Sequence, residues 1–156
     1  MKLIIIAAMS ERNRVIGANN GLPWNVPEDY NQFLGFVRGE AVFMGRTTYE
    51  IFGADLADSE VFVVSRRSEV DGRGQVVASV EDAIAAARAT GKTVLCGGGA
   101  SIYEQTLPHA TDMYLSLIHG DHEGDSHFPD WPADEWHEAE RVEHEAFTFV
   151  KLTRRA

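Results

Sequence analysis

The alternation of buried-strand and helix patterns constrains the fold more than any other feature of this sequence. Residues 3–9 form a continuous apolar run, which is typical of a strand buried on both faces. Similar runs recur at residues 41–44, 61–64, 93–96 and 113–118, and helical patterns lie between most of them. Because parallel strands need crossover connections, this alternation predicts a largely parallel sheet with helices on its faces.

The end of the chain follows a different pattern. Residues 135–142 and 146–153 are consecutive strand candidates with no helix between them, which predicts an antiparallel hairpin at one edge of the sheet. Residues 76–77 can form one more brief strand. With no internal repeat, low-complexity stretch or linker, we predict that residues 1–156 form a single α/β domain. Its core is a mostly parallel mixed sheet of about eight strands with flanking helices and a C-terminal antiparallel hairpin.

Local signals place the helix ends. Pro27 fits the first turn of a helix, where no backbone N–H is needed. Thr47 or Thr48 can cap a second helix that follows directly on a strand. Ser79 can cap a third helix, which Gly91 ends.

Composition and charge narrow the class of function. The formal net charge of −10 argues against nucleic acid as a partner. No apolar run approaches the roughly 20 residues needed to span a membrane, and the first residues fit a buried strand better than a signal peptide. The single cysteine, Cys96, excludes an internal disulfide and fits a cytoplasmic location, with packing as its expected role. We expect a cytoplasmic monomer.

Residues 21–33 hold the strongest candidate for a functional site. Glu28 and Asp29 fall in the first turn of the helix predicted over Pro27–Val37. They can be explained simply as exposed acids that favour the helix dipole. However, Asp29 and Phe33 share a helix face, and Trp24 adds aromatic surface, so Asp29 is expected to face an apolar cleft. A buried carboxylate needs a partner, and a ligand with an amidine-like pair of N–H donors would provide one.

Three turns lie where predicted strands end, at the sheet edge that binds ligands in α/β proteins. They comprise residues 45–48, 65–67 and 97–101, with glycines in two of them and arginines in two. Taken alone, each turn can be explained as a tightly packed glycine turn or as solvated surface arginines. The turn at residues 97–101 is not a full dinucleotide-binding fingerprint, because that motif would need a glycine in place of Ile102. Together they suit a ligand with a pyrophosphate and one further phosphate, which favours NADPH over NADH.

These motifs resemble those of the dihydrofolate reductase family, in the same order and over nearly the whole chain. The motifs are residues 7–8, 15–17, 22–29, 44–48, 97–99 with 102–103, and 123–129. The resemblance implies reduction of 7,8-dihydrofolate to tetrahydrofolate, by hydride transfer from NADPH to C6 and protonation of N5. It also implies that Asp29 holds the pterin and favours its protonation through a water, with Glu28 as the less suitable candidate.

The resemblance further implies site residues. The catalytic set is Asp29, Leu22, Trp24 and Tyr103. The substrate-binding set is Ile6, Ala7, Asp29, Tyr30, Phe33, Phe52, Leu56 and Ser116. The cofactor-binding set is Ala8, Ile16, Gly45, Arg46, Thr47, Thr48, Ser65, Arg66, Arg67, Cys96, Gly98, Gly99, Ala100, Ser101, Ile102 and Tyr103. No metal is expected, because the spacing of His119, His122 and His127 matches no standard site and fits an acidic connecting loop.

One position departs from the family pattern. Family members clamp the glutamate α-carboxylate of dihydrofolate with an arginine, and the matching residue here is Ser59. The absence of this arginine removes a contact to the carboxylate worth about 2–3 kcal/mol. Asp55 and Asp58 lie nearby in the sequence and would repel a carboxylate further. Either Arg38 replaces the arginine or the substrate is another dihydropterin without the tail, such as dihydromethanopterin. A noncatalytic pterin- or nucleotide-binding protein is a third possibility, against which Asp29 argues.

Overall fold

The computed structural model describes residues 2–17, 21–67 and 72–155. The strands are β1 (Leu3–Ser10), β2 (Val15–Gly17), β3 (Ala41–Gly45), β4 (Glu60–Val64), β5 (Gln75–Val77), β6 (Val94–Cys96), β7 (Asp112–Ile118), β8 (Ser126–His127), β9 (Trp136–Glu143) and β10 (Phe147–Arg154). The helices are α1 (Pro27–Val37), α2 (Arg46–Phe52), α3 (Val80–Arg88) and α4 (Ala100–Thr106). Short 3₁₀ turns cover Gly53–Asp55, Leu107–His109 and Ala133–Glu135. Among these described helices, none is both long and apolar enough to cross a membrane.

Eight of these strands form one mixed sheet in the order β5-β4-β3-β6-β1-β7-β10-β9. The neighbours from β5 to β7 pair in parallel. Strand β10 pairs antiparallel with both β7 and β9, which makes the C-terminal hairpin that the sequence predicts. The sheet therefore has the predicted strand number and mixed character.

Strand β1 lies inside the sheet, between β6 and β7. Its side chains alternate between two buried clusters, with Leu3 and Ile5 in one and Ile4 and Ile6 in the other. All four are at most 6% exposed. Because both faces are covered, residues 3–9 of the strand are all apolar, which is the physical reason for the continuous apolar run.

Parallel pairing brings the ends of several strands to one edge of the sheet. The β1–β7 register places Ala8 opposite Ser116, and the β3–β4 register places Gly45 opposite Val64. Gly97, directly after β6, donates its N–H to Phe43 O at 2.9 Å. The polar and glycine-bearing turns that the sequence singles out therefore lie side by side.

Two local predictions were wrong. The polar, glycine-bearing stretch of residues 10–21 predicts a loop, but β2 pairs antiparallel with β8, and Asp125 N donates to Gly17 O at 3.1 Å. Residues 18–20 of that predicted loop lie outside the described residues. The N-cap of α2 is Gly45, with no side-chain capping bond, so neither Thr47 nor Thr48 caps the helix. Strands of two or three residues leave too little periodicity to be found in a sequence.

The capping prediction for α3 is confirmed. Ser79 Oγ accepts a hydrogen bond from Asp82 N at 3.0 Å. At the other end Gly91 has a φ of 76°, which glycine adopts without the steric cost that other residues meet. Both ends of this helix are therefore fixed by short-range chemistry visible in the sequence.

Replacing Ser79 with alanine tests the contribution of this cap. We expect Ser79→Ala to lower the free energy of unfolding by about 1 kcal/mol, because one helix N–H loses its partner. Urea denaturation measures the change, and Ser79→Asn, which keeps a capping oxygen, should lose much less. An equal loss in both variants would contradict the role of the cap.

Candidate active site

A pocket opens at the carboxyl edge of the sheet, against α1. Strands β1, β2, β7 and β10, helices α1, α2 and α4, the loop before α1 and the turn after β6 contribute to its wall. Its lining residues are Ile6, Ala7, Ala8, Ile16, Leu22, Asp29, Tyr30, Gln32, Phe33, Phe36, Thr48, Phe52, Gly97, Gly99, Tyr103, Tyr114, Ser116 and Phe149. The pocket thus brings together most of the predicted substrate-binding residues and several of the predicted cofactor-binding residues.

Asp29 is the buried acid of this pocket. It is 8% exposed although it lies in the first turn of α1. Burial raises the pKa of its carboxyl group, while the Ser116 hydroxyl and the charge of His144 act to lower the pKa. A carboxylate in this position is desolvated, and its affinity for a ligand with paired N–H donors is correspondingly high.

Glu28, its neighbour, has a different environment. Its side chain is 64% exposed, and Oε1 lies 3.3 Å from Nδ1 of His144 in the turn between β9 and β10. The two acids of the first turn are thereby separated, with Asp29 facing the pocket and Glu28 facing solvent and the hairpin.

An aromatic wall borders the pocket beside Asp29. The ring centroid of Tyr30 lies 6.0 Å from that of Phe33 and 5.8 Å from that of Phe52. The Phe33 and Phe52 centroids are 6.4 Å apart. Since Tyr30 and Phe33 come from α1 and Phe52 from α2, the wall spans the gap between the two helices. A flat heteroaromatic ring fits such surfaces.

The turn after β6 is shaped by contacts to Tyr103 of α4. The Tyr103 hydroxyl donates to Ile6 O at 2.8 Å, and burial raises the pKa of Tyr103 well above its usual value, so it stays a neutral donor. A Cβ at Gly98, whose φ is 98°, would lie 2.7 Å from the Tyr103 ring. Only glycine fits between this ring and the edge of the sheet.

The other two predicted phosphate turns adjoin this one. Gly45 N donates to Gly98 O at 2.8 Å, which joins the turns after β3 and β6. Arg46 pairs with Glu50 at 2.9 Å within α2. Ser65 follows β4, the parallel neighbour of β3, and its Oγ accepts from Arg67 N at 3.0 Å. Arg66 and Arg67 are both exposed.

Several predicted site residues do not line this pocket. Leu56 is 3% exposed and packs in the core cluster below α2. Cys96 is fully buried with its Sγ 3.5 Å from Thr106 Oγ1, and burial raises its pKa to about 11. Trp24 forms an edge contact with His122 at 5.3 Å between ring centroids. The others that lie outside the lining are Gly45, Arg46, Thr47, Ser65, Arg66, Arg67, Gly98, Ala100, Ser101 and Ile102.

Four lining residues were not predicted from the sequence: Gln32, Phe36, Tyr114 and Phe149. Gly97 also lines the pocket and lies in the predicted turn 97–101, although it was not in the cofactor-binding set. For Gln32 and Phe36, a signal was present, because positions three and seven residues beyond Asp29 share its helix face. In the sequence Phe33, Leu34 and Val37 are the large apolar residues that predict the buried side of α1, and Val37 packs in the core. Tyr114 lies two residues before Ser116 on β7 and so shares its face of the sheet.

The histidines of the acidic loop make local contacts. His119 Nε2 lies 2.9 Å from Thr148 Oγ1, and His122 Nε2 lies 2.9 Å from His119 O. Over the described ranges, no group of three or more His, Cys, Asp or Glu side chains is arranged to hold a metal ion.

Comparison with known proteins decides the family. The family model described as dihydrofolate reductase matches residues 2–154. The chain belongs to the dihydrofolate reductase family. Among its relatives, the dihydrofolate reductase HdrB of Haloferax volcanii is 35% identical, with 99% of this chain and 84% of that protein covered. Dihydrofolate reductase of Neisseria gonorrhoeae is 39% identical, with 96% of each chain covered.

A solved structure agrees with this assignment. Dihydrofolate reductase from Enterococcus faecalis, complexed with NADP(H) and RAB-propyl, matches with a TM-score of 0.89 at 26% identity. The match covers 99% of this chain and 97% of that one. The predicted family, the fold class and the enzymatic nature of this chain are therefore confirmed.

The buried carboxylate predicts a pH-dependent effect on stability. Because burial raises the pKa of Asp29, the ionised form destabilises the folded state, and this cost appears as pH rises above the unfolded value of 3.8. We expect Asp29→Asn to be more stable than the unchanged protein at neutral pH, with a gain that shrinks as pH falls. Urea denaturation at several pH values measures this gain in the free energy of unfolding. The exposed Glu28→Gln is the control and should show no such gain; a pH-independent effect of Asp29→Asn would contradict the argument.

Proposed function

We propose that the chain reduces 7,8-dihydrofolate to 5,6,7,8-tetrahydrofolate and that the pocket beside Asp29 is where it does so. The observation that carries the proposal is the single pocket in which a buried carboxylate, an aromatic wall and a glycine turn meet. The Enterococcus faecalis neighbour is complexed with NADP(H), and this supports NADPH as the cofactor here. When bound, NADPH supplies the hydride that C6 of the substrate receives.

Asp29 holds the pterin in this proposal. Its two carboxylate oxygens accept a pair of N–H bonds from the amidine-like edge of the ring, and the desolvated site strengthens them. The Ser116 hydroxyl favours the charged form of Asp29, since it acts to lower its pKa. This negative charge beside the ring raises the basicity of N5, which takes its proton from a water.

The space around two glycines of the turn after β6 supports a dinucleotide site there. A Cβ at Gly97 would lie 3.1 Å from Met44 Cε, and one at Gly99 would lie 3.5 Å from Thr48 Oγ1. Because Gly97 N already donates to Phe43 O, the N–H groups later in this turn bind the pyrophosphate in our proposal, and the glycines keep side chains out of its way. In our proposal Arg46, Ser65 and Arg66 bind the adenosine phosphates.

Leu22 and Trp24 exclude water from the reacting atoms in our proposal. Leu22 lines the pocket although it is 41% exposed. Trp24 is held from the other side by its edge contact with His122. An apolar residue at the mouth of the pocket dries the site once both ligands are bound.

Dihydrofolate is favoured over the alternatives weighed from the sequence. The relatives that cover nearly the whole chain are dihydrofolate reductases. The candidate substitute for the missing arginine, Arg38, has its Nε 4.0 Å from Asp58 Oδ2. Ser59 Oγ donates to Val37 O at 2.7 Å, so it ties the end of α1 to the segment before β4.

We also infer a single domain that acts as a monomer in the cytoplasm. Support for one domain comes from the sheet, in which β10 pairs with β7 and β7 with β1. The large exposed apolar side chains among the described residues, Leu22, Ile51 and Val142, lie apart in the sequence, which favours a monomer. The buried free thiol of Cys96 fits a reducing compartment.

The catalytic proposal is tested by NADPH oxidation with and without dihydrofolate. We expect Asp29→Asn to lower kcat/KM for dihydrofolate by about 10²–10⁴-fold, because the pterin loses its charged partner. The affinity for NADPH, measured by fluorescence titration, should change little. If the unchanged protein binds NADPH but oxidises none in the presence of dihydrofolate, the proposed function fails.

Cofactor choice is tested at Arg66. We expect Arg66→Gln to raise KM for NADPH about tenfold, since a charge-assisted hydrogen bond to a phosphate is lost, and to leave KM for NADH nearly unchanged. Arg38→Gln, which removes the same charge at the end of α1, is the matched control. If KM rose equally for NADPH and NADH, Arg66 would not be the residue that distinguishes the two cofactors.

A further inference from the structure

One side-chain hydrogen bond connects the two helical walls of the pocket. The Tyr30 hydroxyl on α1 donates to Asp55 Oδ2 at 2.5 Å, across 25 positions of sequence. Asp55 is the last residue of the 3₁₀ turn Gly53–Asp55, which follows α2 directly. The bond therefore runs from one wall to the other, at the outer side of the aromatic wall formed by Tyr30, Phe33 and Phe52.

The chemistry of the pair keeps this bond in one direction. Burial and the bond to Asp55 both raise the pKa of Tyr30, so the phenol remains protonated and donates. The ring of Tyr30 is fixed by its contacts with Phe33 and Phe52 at 6.0 and 5.8 Å. Because the acceptor is a carboxylate and the donor ring is held by packing, the Tyr30–Asp55 hydrogen bond forms a well-defined link between α1 and the turn after α2. We call this link the closure.

This end of the pocket is negatively charged. Neither residues 27–37 nor residues 53–60 contain lysine or arginine, but the second segment contains Asp55, Asp58 and Glu60. Asp58 lies 4.0 Å from Arg38, and Glu60 lies 3.7 Å from Lys92. Asp55, in contrast, has the uncharged hydroxyl of Tyr30 as its hydrogen-bond partner.

The position of the pair matters for the part of the substrate beyond the pterin. With the ring at Asp29, Tyr114, Ser116 and Phe149 close the inner end, and the turn at Gly97 belongs to the cofactor side. Tyr30 lines the pocket, and its hydroxyl bond places Asp55 directly beside the aromatic wall.

We propose that Tyr30 and Asp55 determine the specificity of this reductase for the substrate tail. Their hydrogen bond narrows the exit between α1 and the turn after α2, and the Asp55 carboxylate disfavours tails that carry negative charge. A folate tail binds by displacing this closure, whereas a dihydropterin without a tail does not meet it. The inference rests on the proposed function and identifies what limits its substrate range.

The test compares two substrates in steady-state kinetics. Dihydrofolate carries an anionic tail, and 6-methyl dihydropterin carries neither tail nor charge. Asp55→Asn removes the charge and keeps an oxygen that accepts from Tyr30, while Asp55→Ala removes both. Asp58→Asn, three residues further along the same exposed segment, is the matched control for charge.

We expect Asp55→Asn to lower KM for dihydrofolate about fivefold, as for loss of one unfavourable charge contact near the surface, and to leave KM for the methyl dihydropterin unchanged. Asp55→Ala should lower KM for dihydrofolate at least as far. Added salt should reduce the difference in this KM between each variant and the unchanged protein. Unchanged KM values in both Asp55 variants, or an equal fall in Asp58→Asn, would overturn the inference alone. Absence of turnover with both substrates in the unchanged protein would overturn the proposed function and the inference with it.

Discussion

The burial of β1 on both faces is the constraint on which the rest of the structure depends. A strand between β6 and β7 leaves no face for polar side chains, and its parallel neighbours have to end at the same edge. That edge is where Ala8, Ser116 and the turn after β6 come together. The site is thus a consequence of the sheet topology, and α1 adds the carboxylate that faces it.

Charge is distributed unevenly around this edge. The chain as a whole is strongly acidic, at −10, yet the turns after β3 and β4 carry Arg46, Arg66 and Arg67. The opposite side of the pocket holds Asp29 and, further out, Asp55. In our proposal these local charges direct an anionic cofactor and a ring with N–H donors to different places, because interactions between surface groups beyond about 10 Å are largely screened.

Much of the fold and part of the site were predictable for physical reasons. Strand β1 and helix α1 are long enough for burial and capping patterns to be clear, and Pro27 marks the first residue of α1. The β2–β8 pair was missed because strands of three and two residues carry almost no pattern. The helix after β3 begins at a glycine N-cap, since the turn there is fixed by its contact with Gly98, and capping propensity at the threonines is overridden.

The sequence by itself determined the order of the helices and of the strands in the main sheet, the acid in the first turn of α1, the glycine turns and the family resemblance. These depend on interactions between residues close in the chain or on motifs of fixed spacing. Only the tertiary structure decided that Asp29 is buried while Glu28 is exposed, that Phe149 reaches the pocket, and that Tyr30 binds Asp55. Each of these depends on how elements distant in sequence pack, and local propensity carries no information about such contacts.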